Sequence, residues 1–114
     1  MLHTLAFFLF AAAALGGAYM TVQIAKGAAV PASLGKGHGM AALAALVILF
    51  LANLLGREAT PALAWWAFIV FLAGFVGGIT VIAQVFEHRP PLWFAALHGG
   101  LAVVGLILLF GTAF

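Results

Sequence analysis

The chain has no cysteine and almost no charge: Lys and Arg together number 4 and Asp and Glu 2, among 114 residues. Without cysteine there are no disulfides, no thiolate ligands, no iron–sulfur clusters and no haem attached covalently through a C-x-x-C-H motif. With 5% charged and 68% hydrophobic residues, too few polar side chains are available to cover a soluble globule. A basic stripe able to track phosphates is also missing, so nucleic acid is not an expected partner. The expected solvent is the lipid bilayer.

Four apolar stretches account for nearly all of the chain: Leu2–Ala25, about Ala32–Leu55, Ala62–Phe86 and Leu92–Phe114. Each reaches the roughly 20 residues needed to cross a bilayer. Leu2–Ala18 has the apolar core and small residues of a secretory signal, but no positively charged side chain precedes the core, and it is read as a retained helix. The expectation is a single all-α membrane domain over residues 1–114, a bundle of four transmembrane helices joined by short loops. Trp65 and Trp66, at the start of the third stretch, suit the membrane–water interface.

The second half repeats the first. At an offset of 61 residues, Ala6-Phe7, Phe10, Gly16-Gly17 and Gln23 fall on Ala67-Phe68, Phe71, Gly77-Gly78 and Gln84. At an offset of 60, Pro31, His38-Gly39, Ala42, Leu46 and Leu49-Phe50 fall on Pro91, His98-Gly99, Ala102, Leu106 and Leu109-Phe110. Leucine and alanine matches come easily in so apolar a chain; the matched Gly-Gly, Gln, Pro and His-Gly do not. Repeat one covers about 2–55 and repeat two 62–114. Each holds two helices, so both copies cross in the same direction, which implies a pseudo-two-fold along the membrane normal.

Proline is favoured at the first position of a helix. If Pro31 and Pro91 open theirs, each histidine lies seven residues further on, roughly 10 Å along the axis. His38 and His98 then share one depth, and if the helices pack in order around a square, they face each other across its diagonal. Lys26, Lys36 and Arg89 lie on the side of the first and third loops and Arg57 alone on the other. The positive-inside rule thus places loops 26–30 and 87–90 in the cytoplasm and both termini outside, in a membrane such as the bacterial inner membrane.

Strongly polar residues inside membrane spans are costly and mark function. The span interiors hold no Asp, Glu, Lys or Arg, which leaves the two matched histidines as the main polar groups. Imidazole is the commonest metal ligand among side chains. Diagonal helix axes stand roughly 11 to 14 Å apart, and two imidazoles with metal bonds of about 2 Å each span such a gap with one metal midway. A haem iron with two axial histidines meets this geometry. Gly35, Gly39, Ala42, Ala45, Gly99, Gly100, Ala102 and Gly105 leave room beside the pair; Tyr19 and Thr80 reach the same depth, with hydroxyls suited to a ligand's second ring nitrogen. Lys36 and Arg89 are natural partners for haem propionates.

Other readings stand beside this one. Small residues four apart, Ala13 with Gly17 and Gly74 with Gly78, are ordinary helix-packing pairs. Two histidines placed by duplication can be structural or touch a quinone. Copper or zinc needs more than two ligands; His3 lies on the opposite side and His88 in a loop, both read as interfacial.

Histidines on two transmembrane helices with glycine neighbours resemble the arrangement in b-type membrane cytochromes. The resemblance covers His38, His98 and the adjoining glycines. It implies a b-type haem and one-electron transfer with a quinone or another redox partner, as a carrier or a complex subunit rather than an enzyme in its own right. The alternatives are an accessory subunit of a larger membrane complex, or a homo-oligomer, in which the bundle itself is the contact surface, and a small transporter. Length and helix number resemble the small multidrug-resistance family, but that family relies on a glutamate in the first helix, and here that helix has none.

Overall fold

A computed structural model describes residues 1–114 and is all-helical. Helix α1 spans Leu2–Ala25 and α2 spans Ala32–Gly56, with a short 3-10 turn at Arg57–Ala59. Helix α3 begins at Ala62, is α-helical to Gly77 and continues as a π-helical segment over Gly78–Val85. Helix α4 spans Leu92–Ala113. All four are long and apolar enough to cross a membrane.

Helix starts follow the prolines. Pro31, Pro61 and Pro91 stand one residue ahead of α2, α3 and α4 in extended conformation, so each serves as the cap rather than as the first helical residue. Their carbonyls open the ladders: Leu34 donates to Pro31 at 3.1 Å and Phe94 to Pro91 at 3.0 Å. The proline ring has no N–H to leave unpaired at this position.

The two ends facing loops 26–30 and 87–90 close differently. After α1, Gly27 adopts φ +68°, its N–H bonds to Ile24 and that of Ala28 bonds to Gln23. This is a Schellman closure, in which glycine takes the left-handed position without steric cost. The matching end of α3 has no glycine. Instead of one continuous helix to Phe86, the backbone widens: Phe86 donates to Val81 and His88 to Ile82, and Glu87 and His88 take φ values of 50° and 62°. Left-handed residues with side chains cost about 1–2 kcal/mol each. The glycine that closes α1 has no counterpart at this end, where Glu87 and His88 stand instead.

Helix α1 packs on α2 and α4, and α3 packs on α4 and α2, with the α2–α3 contact the smallest. The order around the bundle therefore follows the chain, and α1/α3 and α2/α4 form the diagonals. Ala6, Phe10, Ala45, Leu46, Leu49, Ala67, Phe71 and Leu109 form the core. Phe10 and Phe71, matched across the repeat, stack with centroids 3.6 Å apart and planes within 4°. Only 16 residues are buried, so most large apolar side chains face outward; Leu15 and Leu55 are 73% and 70% exposed.

Candidate functional site: a histidine pair on a diagonal

The imidazoles of His38 on α2 and His98 on α4 meet across the bundle, with ring centroids 6.1 Å apart and planes at 66°. Each ring rests against a glycine of a neighbouring helix. A Cβ built on Gly17 would stand 3.0 Å from His38 Cε1, and one on Gly78 would stand 3.4 Å from His98 Cε1. Gly17 and Gly78 are themselves matched across the repeat, so the seat of each ring is duplicated along with the ring.

Gly17 also lets the His38 ring reach the backbone of α1. Nδ1 of His38 lies 2.8 Å from the Ala13 carbonyl. A carbonyl only accepts, so Nδ1 carries the proton, and in the neutral ring the lone pair is on Nε2. This is the arrangement that orients a metal-bound histidine through its second nitrogen. His98 makes no side-chain hydrogen bond. His38 also borders an open groove of about 240 Å³ between α1 and α2, lined by Ser33, Gly37 and Gly16 among others.

Several small residues singled out from the sequence occupy other surroundings. Gly35, Gly39, Gly99 and Gly100 have open space where a Cβ would be, and Gly99 and Gly100 are exposed. Ala42 and Ala102 are half-buried, one turn beyond the histidines. Ala45 lies in the apolar core, and the room at Gly105 is taken by the Phe71 ring, whose atoms would stand 2.7 Å from an added Cβ. The deeper part of the axis is filled by phenylalanine. Lys36 and Arg89 are exposed at the end nearer the histidines.

The hydroxyls expected to bond the ring nitrogens do not do so. Tyr19 is 55% exposed, and Thr80 donates to Val76 of its own helix at 2.6 Å. The carbonyl of Ala13 takes that role for His38. Sequence reasoning treated Ala13 with Gly17 and Gly74 with Gly78 as helix-packing pairs. The signal for their second use was that Gly17 and Gly78 recur in the repeat together with the histidines.

No three His, Cys, Asp or Glu side chains gather anywhere in the chain. The donor set is two imidazoles, which suits a group that brings its own equatorial ligands. Two bonds of about 2 Å, with the ring radii added, put imidazole centroids roughly 6 Å apart, the spacing observed.

A second polar cluster lies at the other end. Asn53, 1% exposed, accepts at Oδ1 from His3 Nε2 at 2.9 Å and donates through Nδ2 to the Ala64 carbonyl at 3.1 Å. Thr60 donates to the Asn53 carbonyl at 2.7 Å, and Thr4 donates to Ala113 at 3.1 Å. His3 is therefore engaged inside the bundle end rather than free at the interface. Asn53 was visible in the sequence as a lone amide in an apolar run.

No family model matches the chain, and neither does any curated protein or solved structure.

Proposed function

We propose that the chain is an integral membrane b-type cytochrome, in which His38 on α2 and His98 on α4 would hold one haem between them. The approach of the two rings to 6.1 Å across a diagonal carries this reading. When bound, haem supplies one-electron transfer, its potential set by its ligands and their surroundings. The chain's own residues do the rest. Ala13 holds the His38 ring in the tautomer with a free Nε2. Gly17 and Gly78 admit the rings, and the Phe10–Phe71 stack closes the deeper axis to water. Lys36 and Arg89 supply positive charge where propionates emerge.

The architecture belongs to the proposal as well. Matched residues meet in pairs, His38 with His98 and Phe10 with Phe71, which supports a pseudo-two-fold along the bundle axis. The longest dimension, 46 Å, suits a bilayer of about 40–45 Å including headgroups. Loops 26–30 and 87–90 face the cytoplasm in this reading, and the partner is a quinone or another redox protein.

The test is an absorption spectrum of protein purified in mild detergent after expression with haem available, before and after dithionite. A six-coordinate haem b spectrum, altered by His38→Ala and by His98→Ala, is the expected result. A folded, colourless protein overturns it. That outcome favours the second reading, an accessory subunit whose histidines are structural. Its supporting observation is the His38–Ala13 bond, which by itself satisfies the buried side of that ring.

A further inference from the structure

The two histidines are matched in sequence but not held alike. His38 is bonded to Ala13 and rests on Gly17, within a helix that stays α-helical and ends in a glycine closure. The His98 side chain has no hydrogen bond. It rests on Gly78, the first residue of the π-helical segment. That segment runs into Glu87 and His88, both left-handed and neither a glycine. One ring is clamped by a relaxed helix; the other leans on a widened and strained one. Such π turns inside α-helices cluster at functional sites, and a return to α winding moves the bond register by one residue. Residues beyond Gly77 then rotate about the helix axis, and the wall against His98 moves.

We propose that His98 is the displaceable member of the pair and His38 the fixed one, with exchange between π and α winding over Gly78–Val85 freeing the His98 ring. With haem held by the pair, a small neutral iron ligand such as carbon monoxide would bind on the side that His98 vacates. The ligand part rests on the cytochrome reading; the difference in mobility stands independently of it.

Two measurements on the full chain test this. In lipid nanodiscs without haem, hydrogen–deuterium exchange reads the two helix ends directly. Amides over 78–86 are expected to exchange at least about tenfold faster than those over 17–25, a difference of about 1.4 kcal/mol in opening free energy. Equal or slower exchange over 78–86 overturns the proposal. With haem bound and reduced, the C–O stretch of the wild-type carbon monoxide complex should match that of His98→Ala and differ from that of His38→Ala. A match to His38→Ala, or no carbon monoxide uptake by the wild type, overturns it. If the folded chain takes up no haem, the cytochrome reading and the ligand assignment fall together, and a tenfold exchange difference then upholds only the looser second hairpin.

Discussion

The histidine end and the asparagine end of the bundle use polarity in opposite ways. At the histidine end the rings and their seats occur twice, His38 and His98 on Gly17 and Gly78, with Phe10 and Phe71 one layer deeper, although only His38 is hydrogen-bonded. At the asparagine end the repeat is broken, because Asn53 matches Ala113 and His3 matches Ala64. Those two alanines have not lost a role; their carbonyls accept the hydrogen bonds that the first repeat sends across. Asn53 bonds to Ala64 over the α2–α3 seam, and Thr4 bonds to Ala113 over the α1–α4 seam. These are the two seams between the repeats, and α2–α3 is the weakest packing contact in the bundle. Duplication builds a matched pair, and departure from duplication fastens the halves together.

The contrast predicts that the two ends can be broken separately. The largest expected effect is at the histidines: His38→Ala or His98→Ala should abolish the dithionite-induced six-coordinate haem spectrum. Unfolding in mixed detergent micelles should shift by no more than about 1–2 kcal/mol, the scale of one interhelical hydrogen bond in a membrane. Asn53→Leu should do the reverse. Loss of both side-chain bonds, with the Ala64 carbonyl and His3 left unpaired, should lower stability by about 1–3 kcal/mol, leaving the spectrum unchanged. A spectrum lost in Asn53→Leu at a temperature where the protein remains folded would show that the ends are coupled.

Smaller substitutions sharpen the comparison within the histidine end. Gly17→Ala places a Cβ 3.0 Å from a ring that is hydrogen-bonded in place, whereas Gly78→Ala meets its ring at 3.4 Å, an ordinary contact. The first should cost about 1 kcal/mol, near the lower end of overpacking effects, and shift the haem spectrum. The second should be close to neutral by the same unfolding titration. Thr4→Val removes one bond to Ala113 and should cost about 0.6 kcal/mol, the average for such bonds between membrane helices.

Much of the fold was legible in the residues. The four apolar helices, the prolines that precede three of them and the shared depth of His38 and His98 follow from hydropathy, proline chemistry and spacing along a helix. The site was legible only as a pair. Tyr19 and Thr80 lie at the right depth but on the wrong faces, since Tyr19 points outward and Thr80 bonds within its own helix. Gly105 seemed to leave space, yet Phe71 fills it from the diagonal neighbour of α1. The histidine–asparagine bond has no copy in the second repeat, where Ala64 and Ala113 stand at the matching positions, so no duplicated pattern marks it in the sequence.

What the sequence determined by itself was what local periodicity and transfer free energy set: the number of helices, the approximate extent of α1, α2 and α4, and the duplicated positions. Apolar residues surround each helix almost evenly, so no amphipathic stripe declares how a helix is turned about its axis. Rotation and interhelical distance are decided jointly by packing from all four helices, where small residues permit approach and aromatic rings refuse it. Only the tertiary structure therefore selected the Ala13 carbonyl for His38, Gly78 for His98, Phe71 for the space at Gly105 and Asn53 for the seam. The π winding of Gly78–Val85 also belongs to the tertiary structure, at a helix end that has no glycine to close it.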